Sequence, residues 1–593
     1  MDYVIRGGTV VDGTGSPAFT ADIGIRDGKI AAVGARIDAA GATVIDAAGH
    51  LVTPGFIDIH THYDGQATWD SAMEPSSSHG VTTLIMGNCG VGFAPMRAAD
   101  RDALIDLMEG VEDIPGTALS EGMPIGKWET FPEFLDYLDS REFALDVGGY
   151  IPHGPLRFYV MGERGARDED ATAEDIAEMA RLTREAVAAG AVGLSTSRTV
   201  FHRSRQNDTP VPGTYASKTE LLALAQAVAD SGKGVVQVIP AGTVGDGGGA
   251  LVEASGTREE VAMFAEISRQ TGVPVTFSLA QLPNDPTCWR DALDLSAQAN
   301  TTGANLRPQI APRSVTILQG LSIYHYFQFR PSYQAIAHLP LADRVAAMRR
   351  PEVKRAILDE LDAPMPTLMQ ALMHFYKLGM ERPGMYLMGN PVDYEPCSDK
   401  AVSALIATSG EDPQSFLYDL LVDHDGKDIY MHLLANYVDG NLDACHDMLT
   451  DPNAIVGLGD GGAHANFICD ASNTTFLLSH WARHRTRGAK LPVEQVVAKL
   501  TSDPADFYEL ADRGRIVPGL RADLNVINLD RLAVMPPVLV QDLPAGGVRL
   551  LQEASGYRAT FVNGRLTRQD GIDTGERPGR LVRSSSAAQP AQS

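Results

Sequence analysis

The central part of the chain alternates short apolar segments with helical ones, and this alternation limits the fold more than any other feature. The apolar segments include GFIDIHTH, TTLIMGN, AVGLSTS, GVVQVIP, PVTFSLA and AIVGLGDGG. Several of them are separated by helical patterns such as AEDIAEMARLTREAVAAG and KTELLALAQAVADSG. Strands that alternate with helices predict a parallel sheet covered by helices, and the number of segments fits a closed barrel. We therefore predict an α/β fold with a TIM-type (β/α) barrel.

The two ends of the chain differ from this central part. Residues 1–54 and 505–572 contain short alternating segments with Gly-Asp and Asn-Gly turns, a pattern typical of antiparallel strands, and we expect them to form one composite β-sandwich. The barrel then occupies residues 55–504. The stretch at about 313–450 is too long for one strand–helix unit. We therefore predict a helical insertion there, near the late barrel loops, where a substrate lid belongs. Residues 573–593 are small and polar, which predicts a disordered tail.

Charge and composition exclude some classes of function. The 593 residues include 49 Lys plus Arg against 75 Asp plus Glu, giving a net charge of -26. Such a chain repels nucleic acid and anionic membrane surfaces. No segment approaches the length that crosses a bilayer and the first residues do not resemble a signal peptide, so we expect a cytoplasmic protein. The five cysteines lack CxxC spacing, and each is treated as an individual thiol.

Two histidines at the end of an apolar segment carry the strongest chemical signal. In PGFIDIHTH, His60 and His62 are two residues apart, so their side chains point the same way from a strand. Two imidazoles at the carboxyl end of a barrel strand chelate a divalent ion on the face where barrel enzymes keep their active sites. We therefore predict that His60 and His62 bind a metal.

The sequence resembles the amidohydrolase superfamily. VTPGFIDIHTH is similar to the first-strand motif of that superfamily, and GRIVPGLRADLNVINLD is similar to its C-terminal sheet motif. Within it the chain resembles the N-acyl-D-amino-acid deacylase (D-aminoacylase) group, through GVTTLIMGNCGVGFAP, GGYIPHGPLR, GAVGLSTSRTVFH and GLGDGGAHANFICDAS. This resemblance implies hydrolysis of an amide by metal-activated water, with Asp460 as general base and metal ligand and Cys89 as a zinc ligand.

The sequence departs from that group at two strands. D-aminoacylases carry further histidine ligands on the strands that correspond to GVVQVIP and PVTFSLA, whereas this chain has Gln237 on the first and Ser278 or Leu279 on the second. We therefore prefer one zinc ion to two, held by His60, His62 and Asp460 with Cys89, although another divalent ion is an alternative. His464 and His202 are the candidates for completing the site, and both are also candidate substrate contacts.

The substrate of such an enzyme carries a carboxylate, which calls for an arginine. We select Arg198 first, with Arg203 and Arg307 as alternatives. His153, in GGYIPHG, is a further candidate for lining the pocket.

The leading hypothesis is hydrolysis of a linear amide, an N-acyl-D-amino acid or a similar N-acyl compound. Cyclic-amide hydrolysis, as in dihydroorotases and hydantoinases, is the first alternative, although the metal-bridging lysine that those enzymes usually carry has no counterpart at the expected strand end. A barrel that has lost its activity and acts as a scaffold is the second. We expect a small-molecule substrate and, by analogy with similar barrels, a homo-oligomer.

Overall fold

The computed structural model describes residues 1–243, 251, 253 and 255–584, and in it the two ends of the chain form one sheet. This nine-stranded sheet contains, in spatial order, Ile572–Asp573, Arg565–Gln569, Tyr557–Val562, Leu524–Ile527, Leu51–Pro54, Tyr3–Val10, Phe19–Arg26 and Lys29–Gly34, with Thr43–Asp46 also paired to Tyr3–Val10. The ends meet where Val526 lies opposite Val52 in an antiparallel pair. Apolar side chains, many of them β-branched, bury one core within this sheet domain, among them Ile5, Ile23 and Phe561.

Parallel strands form the central part, as predicted. Three neighbouring strands are Phe56–Thr61, Val81–Met86 and Asp146–Gly149. Six more pair in the order Ile151–Pro152, Gly193–Ser197, Val235–Ile239, Val275–Leu279, Leu306–Ile310 and Ile455–Val456. Every residue of Phe56–Thr61 is buried, as expected for a parallel strand covered on both faces. The predicted α/β class is therefore confirmed.

Helices connect and cover these strands. The helices before the insertion are Arg101–Glu112, Gly116–Gly122, Phe131–Asp139, His153–Met161, Glu163–Ala166, Ala173–Ala189, Lys218–Ala229, Thr257–Thr271 and Cys288–Thr301. After it come Asn473–Phe476, the π-helix Leu477–His484, Val493–Leu500 and Ser502–Phe507. The Ala173–Ala189 helix shows how local sequence sets the ends, because Thr172 and Asp175 form a capping box and Gly190 ends the helix with a φ of 117°. In the described part of the chain, no helix combines the length and the apolarity needed to span a membrane.

The insertion has its own core and its own small sheet. Its helices are Pro331–Gln334, Leu341–Met348, Pro351–Asp359, Thr367–Glu381, Val402–Ser409, Pro413–Val422 and Asp443–Thr450. Its antiparallel strands are Val315–Gln319, Tyr430–Ala435 and Met385–Leu387. The helical insertion predicted at about 313–450 therefore also contains three short strands, which the sequence did not indicate because they pair with partners far away in sequence.

The remaining strands are two short pairs near the C-terminus, Ala533–Val534 with Ala554–Ser555 and Val538–Leu543 with Gly547–Leu551. Residues 573–584 are not disordered, so the predicted tail is wrong over this stretch. Gly579 exchanges backbone hydrogen bonds with Phe143, and the amide of Val582 donates to the carbonyl of Val147 at 2.7 Å. The partner segment lies more than 400 residues earlier, around the start of the parallel strand Asp146–Gly149, so the small polar residues of the tail gave no local signal of this pairing. Residues 585–593 lie outside the described part of the chain.

Candidate metal centre and active site

Three buried side chains converge at the ends of two neighbouring strands. His60 and His62 lie at the end of Phe56–Thr61, and Cys89 follows Val81–Met86. The Cys89 Sγ lies 3.4 Å from Nε2 of His60 and 3.8 Å from Nε2 of His62. Ligand atoms about 2.0–2.3 Å from a tetrahedral zinc ion lie about 3.3–3.6 Å from one another. The separations of the Cys89 thiol from the two imidazoles therefore fit a single divalent ion.

A tight turn brings the thiol to this position. Gly87 and Cys89 both adopt left-handed backbone conformations, with φ of 81° and 59°. A side chain at residue 87 would place its Cβ 2.7 Å from the carbonyl oxygen of Tyr150, so only glycine fits there. The amide of Cys89 donates to Oε1 of Gln237 at 3.1 Å. The side chain of Gln237, on the strand Val235–Ile239, therefore supports the turn.

Asp460 approaches the same imidazoles from the last parallel strand. Its Oδ1 lies 3.4 Å from Nε2 of His60 and 3.7 Å from Nε2 of His62. The residue has a left-handed backbone, and its amide donates to the carbonyl of His60 at 2.9 Å. At Gly459 a Cβ would lie 2.2 Å from a carboxylate oxygen of Asp58, which explains the glycine-rich sequence around Asp460.

Both histidines are held with Nε2 toward the centre. Nδ1 of His60 lies 2.8 Å from Oε1 of Gln309, an acceptor, so Nδ1 carries the proton and Nε2 has a free lone pair. Burial lowers the pKa of both His60 and His62, which favours the neutral form that binds metals. Burial acts to raise the pKa of Asp460, but the His62 hydrogen bond and the two imidazoles hold it below its ordinary value.

Glu112 belongs to this centre and was not predicted from the sequence. It ends the helix Arg101–Glu112 and is buried, with Oε1 3.2 Å from Nδ1 of His62 and Oε2 3.6 Å from Nε2 of His464. Burial and the carboxylates of Asp460 and Asp64 raise its pKa well above the usual value. A sequence signal existed, because Glu112 falls on the apolar face that Leu104 and Met108 define.

The two positions that lack histidine are close to the centre. Gln237 and Ser278 lie on the adjacent strands Val235–Ile239 and Val275–Leu279, and both are buried. Nε2 of Gln237 and Oγ of Ser278 have no hydrogen-bond partner among the described residues. Neither glutamine nor serine is a usual zinc ligand, whereas histidine is.

His202 and His464 face the same space. Both line the cavity that contains His60 and His62. Burial and the neighbouring imidazoles lower the pKa of His202 to about 3 and, despite the opposing charge of Asp460, that of His464 to about 4. Among the described residues, the mutually close group of ligand atoms consists of His60, His62 and Cys89. His202 and His464 therefore occupy positions suited to substrate contacts.

His153 and Arg198, which were predicted to contact the substrate, do not line the cavity, and each contacts a buried carboxylate. His153 is fully buried between Oε1 of Glu220 and Oγ1 of Thr196, each 2.9 Å away, and the guanidinium of Arg157 shares Glu220. Arg198 Nε lies 2.5 Å from Oε2 of Glu260. Neither residue lines the cavity.

The alternative arginines are also outside the cavity. Arg203 pairs with Asp208 at 3.1 Å, and Arg307 donates to the carbonyl of Pro452 at 3.4 Å. In so acidic a chain, most arginines satisfy nearby carboxylates and carbonyls, so position after a strand did not identify a substrate contact.

The cavity has a volume of about 570 Å³, which suits a small organic ligand. The side chains of His60, His62, Cys89 and Asp460 lie on one part of its wall, and residues of the insertion form another part. Apolar side chains dominate the lining, with Phe201, Leu279, Leu372 and Phe467 as examples. The insertion therefore contributes directly to the pocket.

Known proteins resemble this chain in sequence. The amidohydrolase family profile matches residues 43–568. An uncharacterized protein of Mycobacterium tuberculosis is 27% identical over 543 residues, covering 89% of this chain and 84% of the relative. The D-aminoacylase of Alcaligenes xylosoxydans is 39% identical over 196 residues, but that match covers 33% of this chain and 37% of the relative.

Solved structures show the same fold. A D-aminoacylase structure that describes a binuclear metal centre, with one-metal activation and second-metal attenuation, has a TM-score of 0.63 at 23% identity and covers 98% of this chain and 99% of its own. The N-acyl-D-glutamate deacylase of Bordetella bronchiseptica, complexed with zinc and a phosphonate inhibitor, has a TM-score of 0.60 at 22% identity, with the same coverage of both chains. The family profile spans most of the sequence, and the predicted resemblance is confirmed. The chain therefore belongs to the amidohydrolase family and is a hydrolase of carbon–nitrogen bonds other than peptide bonds.

Proposed function

We propose that this amidohydrolase cleaves a linear amide, an N-acyl-D-amino acid or a similar N-acyl compound, with one divalent ion, preferably zinc, held by His60, His62, Cys89 and Asp460. The observation that carries the proposal is the convergence of the Cys89 thiol and the Asp460 carboxylate on Nε2 of the two histidines, beside a cavity of about 570 Å³. The partial match to D-aminoacylase favours a linear substrate.

The bound ion would supply Lewis-acid activation of a water molecule and of the substrate carbonyl. Side chains of the protein would transfer the proton, orient the histidine rings and exclude water. The Asp460 carboxylate is partly exposed to the cavity, so it can accept a proton from the attacking water and return it to the leaving nitrogen. Gln309 fixes the ring of His60, and Glu112 lies against the outer nitrogen of His62. The apolar lining excludes bulk water and strengthens these polar contacts.

We also propose that the parallel strands form a closed barrel around this site. Asp146–Gly149 and Ile151–Pro152 are separated by Tyr150 alone, which links the two groups of strands. A parallel bridge between Thr61 and Gly461 joins the first strand to the segment that follows the last one. Such closure brings His60 and Asp460, which are 400 residues apart, to one end of the barrel.

The alternatives have weaker support. A cyclic-amide hydrolase with a carboxylated lysine needs a lysine at the metal centre, and none lines the cavity in the described part of the chain. A scaffold without activity has no physical need for the hydrogen bond that orients the ring of His60 toward the other candidate ligands.

The test is hydrolysis of N-acyl amino acids of both hands by the zinc-supplemented protein, measured as release of the free amine. We expect Asp460→Asn to lower kcat about 10²–10⁴-fold, the usual contribution of a general base, while circular dichroism stays unchanged. Asp399→Asn, at an exposed position, is the matched control and should retain wild-type turnover. Lack of amine release from every linear amide, or full activity of Asp460→Asn, would contradict the proposal.

A further inference from the structure

One helix of the insertion presents two different faces. In Thr367–Glu381, the side chains of Met373, Tyr376 and Met380 pack into the core of the insertion. The other face lines the cavity, and its residues recur at intervals of three or four along the sequence, as one face of a helix requires: Leu368, Ala371, Phe375, Leu378 and, just after the helix, Arg382. The cavity therefore follows one face of this helix along its whole length.

The two ends of this face have different surroundings. Ala371 packs with Phe201, the chain neighbour of His202, and both Phe201 and His202 line the cavity with the metal-binding histidines. Arg382 follows Ala371 by eleven residues, which corresponds to about 16 Å along a helix at 1.5 Å per residue. The cavity wall thus runs from the metal centre past an apolar surface toward a guanidinium group.

Arg382 is distinguished from the other basic residues of the chain. Among the described residues it is the only Arg or Lys that lines the cavity, and the segments outside the description, 244–250, 252, 254 and 585–593, contain neither residue type. Its guanidinium is exposed and makes no hydrogen bond or ion pair within the described part of the chain. A substrate carboxylate next to the scissile bond would therefore meet no lysine or arginine near the metal centre.

We propose that the substrate is an amide with a long apolar chain that ends in a carboxylate, with the amide at the metal centre, the chain along Leu368–Leu378 and the carboxylate at Arg382. This inference rests on the proposed amide hydrolysis. It changes the expected substrate class. N-acyl-D-amino acids would be recognised through an α-carboxylate next to the amide, whereas these N-acyl compounds are recognised through a carboxylate far from the amide. An apolar chain gains by leaving water on such a wall, and arginine binds a carboxylate through two parallel hydrogen bonds.

The experiment compares three ligands by calorimetry on zinc-supplemented Asp460→Asn protein, in which turnover is suppressed. The ligands are the monomethylamide of tetradecanedioic acid, N-methyltetradecanamide, which has the same chain without the charge, and N-acetyl-D-methionine, which is short and has an α-carboxylate. We expect the monomethylamide to bind about tenfold more tightly than N-methyltetradecanamide, as one charge-assisted contact of about 1.4 kcal/mol gives. N-acetyl-D-methionine should bind the most weakly.

Two further variants test whether Arg382 causes the preference for the charged ligand. Arg382→Gln, made in the Asp460→Asn protein, should reduce the tenfold preference to none, whereas Arg307→Gln, a basic residue outside the cavity, should leave both affinities as they were. The inference is overturned if N-acetyl-D-methionine binds as tightly as the monomethylamide, or if the preference survives Arg382→Gln. Release of methylamine by the wild-type protein is a separate measurement, and its absence together with the expected binding pattern would contradict amide hydrolysis but not the ligand class.

Discussion

At the scale of single residues, the proposed metal centre depends on two histidines at one strand end and on two side chains that reach their rings from other elements. His60 and His62 are two apart on one strand, so their common direction follows from backbone geometry. Gln309 and Glu112 contact these rings from another strand and from a helix, and no spacing in the sequence links them. Tertiary contacts alone identify such supporting residues.

Substitution of Glu112 tests whether residues that contact the proposed histidine ligands affect the affinity for zinc. The Glu112 carboxyl group lies 3.2 Å from the outer nitrogen of His62, and loss of a group that positions a metal-binding histidine weakens metal binding about 10–100-fold. We therefore expect Glu112→Ala to raise the dissociation constant for zinc by that factor, measured by competition with a chelator. Glu109→Ala, on the same helix and paired with Arg205, is the control. Equal zinc affinities in both variants would show that Glu112 has no positioning role.

The arginines that follow strands do not line the cavity. Arg198, Arg203 and Arg307 were selected because they follow or lie on barrel strands, but each is engaged by a carboxylate or a carbonyl. With 75 acidic residues against 49 basic ones, an arginine in this chain readily finds a partner. Arg382 lies in the insertion, where no motif marked it.

At the scale of elements, periodicity identified the parallel strands and most of the helices, because each needs a run of buried apolar residues. The strands of the insertion were missed, since Met385–Leu387 is three residues long and its partner Tyr430–Ala435 is far away in sequence. The segment 573–584 was missed for the same reason. Short strands depend on their partners more than on their own composition.

One buried ion pair attaches the insertion to a neighbouring helix and makes stability depend on pH. Glu395 bonds to Arg485 at 3.1 Å and to His480 at 3.1 Å, just past and within the π-helix Leu477–His484. Burial would raise the pKa of Glu395, but these two partners overcome it and lower the pKa from 4.5 to about 2. Because the folded pKa is depressed, the stabilisation is complete above pH 4.5 and is lost as the pH falls toward 2.

Glu395→Gln measures this contribution. At pH 7 we expect the variant to be less stable by about 3 kcal/mol, the cost of breaking a buried ion pair, seen as a lower midpoint of urea unfolding. Below about pH 4.5 the difference from wild type should shrink, because the wild type then loses the same interaction. Glu411→Gln, at an exposed position of the insertion, is the control. A difference that stays constant from pH 7 to pH 4 would contradict the role given to Glu395.

At the scale of the whole molecule, the chain closes on itself twice. Its two ends pair in one sheet, and its first and last parallel strands approach each other at Thr61 and Gly461. Asp146, which begins the parallel strand Asp146–Gly149, binds Arg513 at 2.6 Å and Arg521 at 2.8 Å, so the segment leading into the sheet domain is fixed to the parallel strands. The pairing of the ends followed from their similar strand patterns, whereas these ion pairs had no counterpart in the sequence.

We propose that this fold gathers one metal site from His60, His62, Cys89 and Asp460. Elemental analysis of protein purified without chelators or a histidine tag gives the number of ions bound per chain. We expect about one zinc or similar ion per chain in the wild type and in His338→Ala, an exposed control, and loss of that ion in His60→Ala. Absence of any bound ion in the wild type, even after divalent ions are added, or full retention of the ion by His60→Ala, would contradict the proposed metal site.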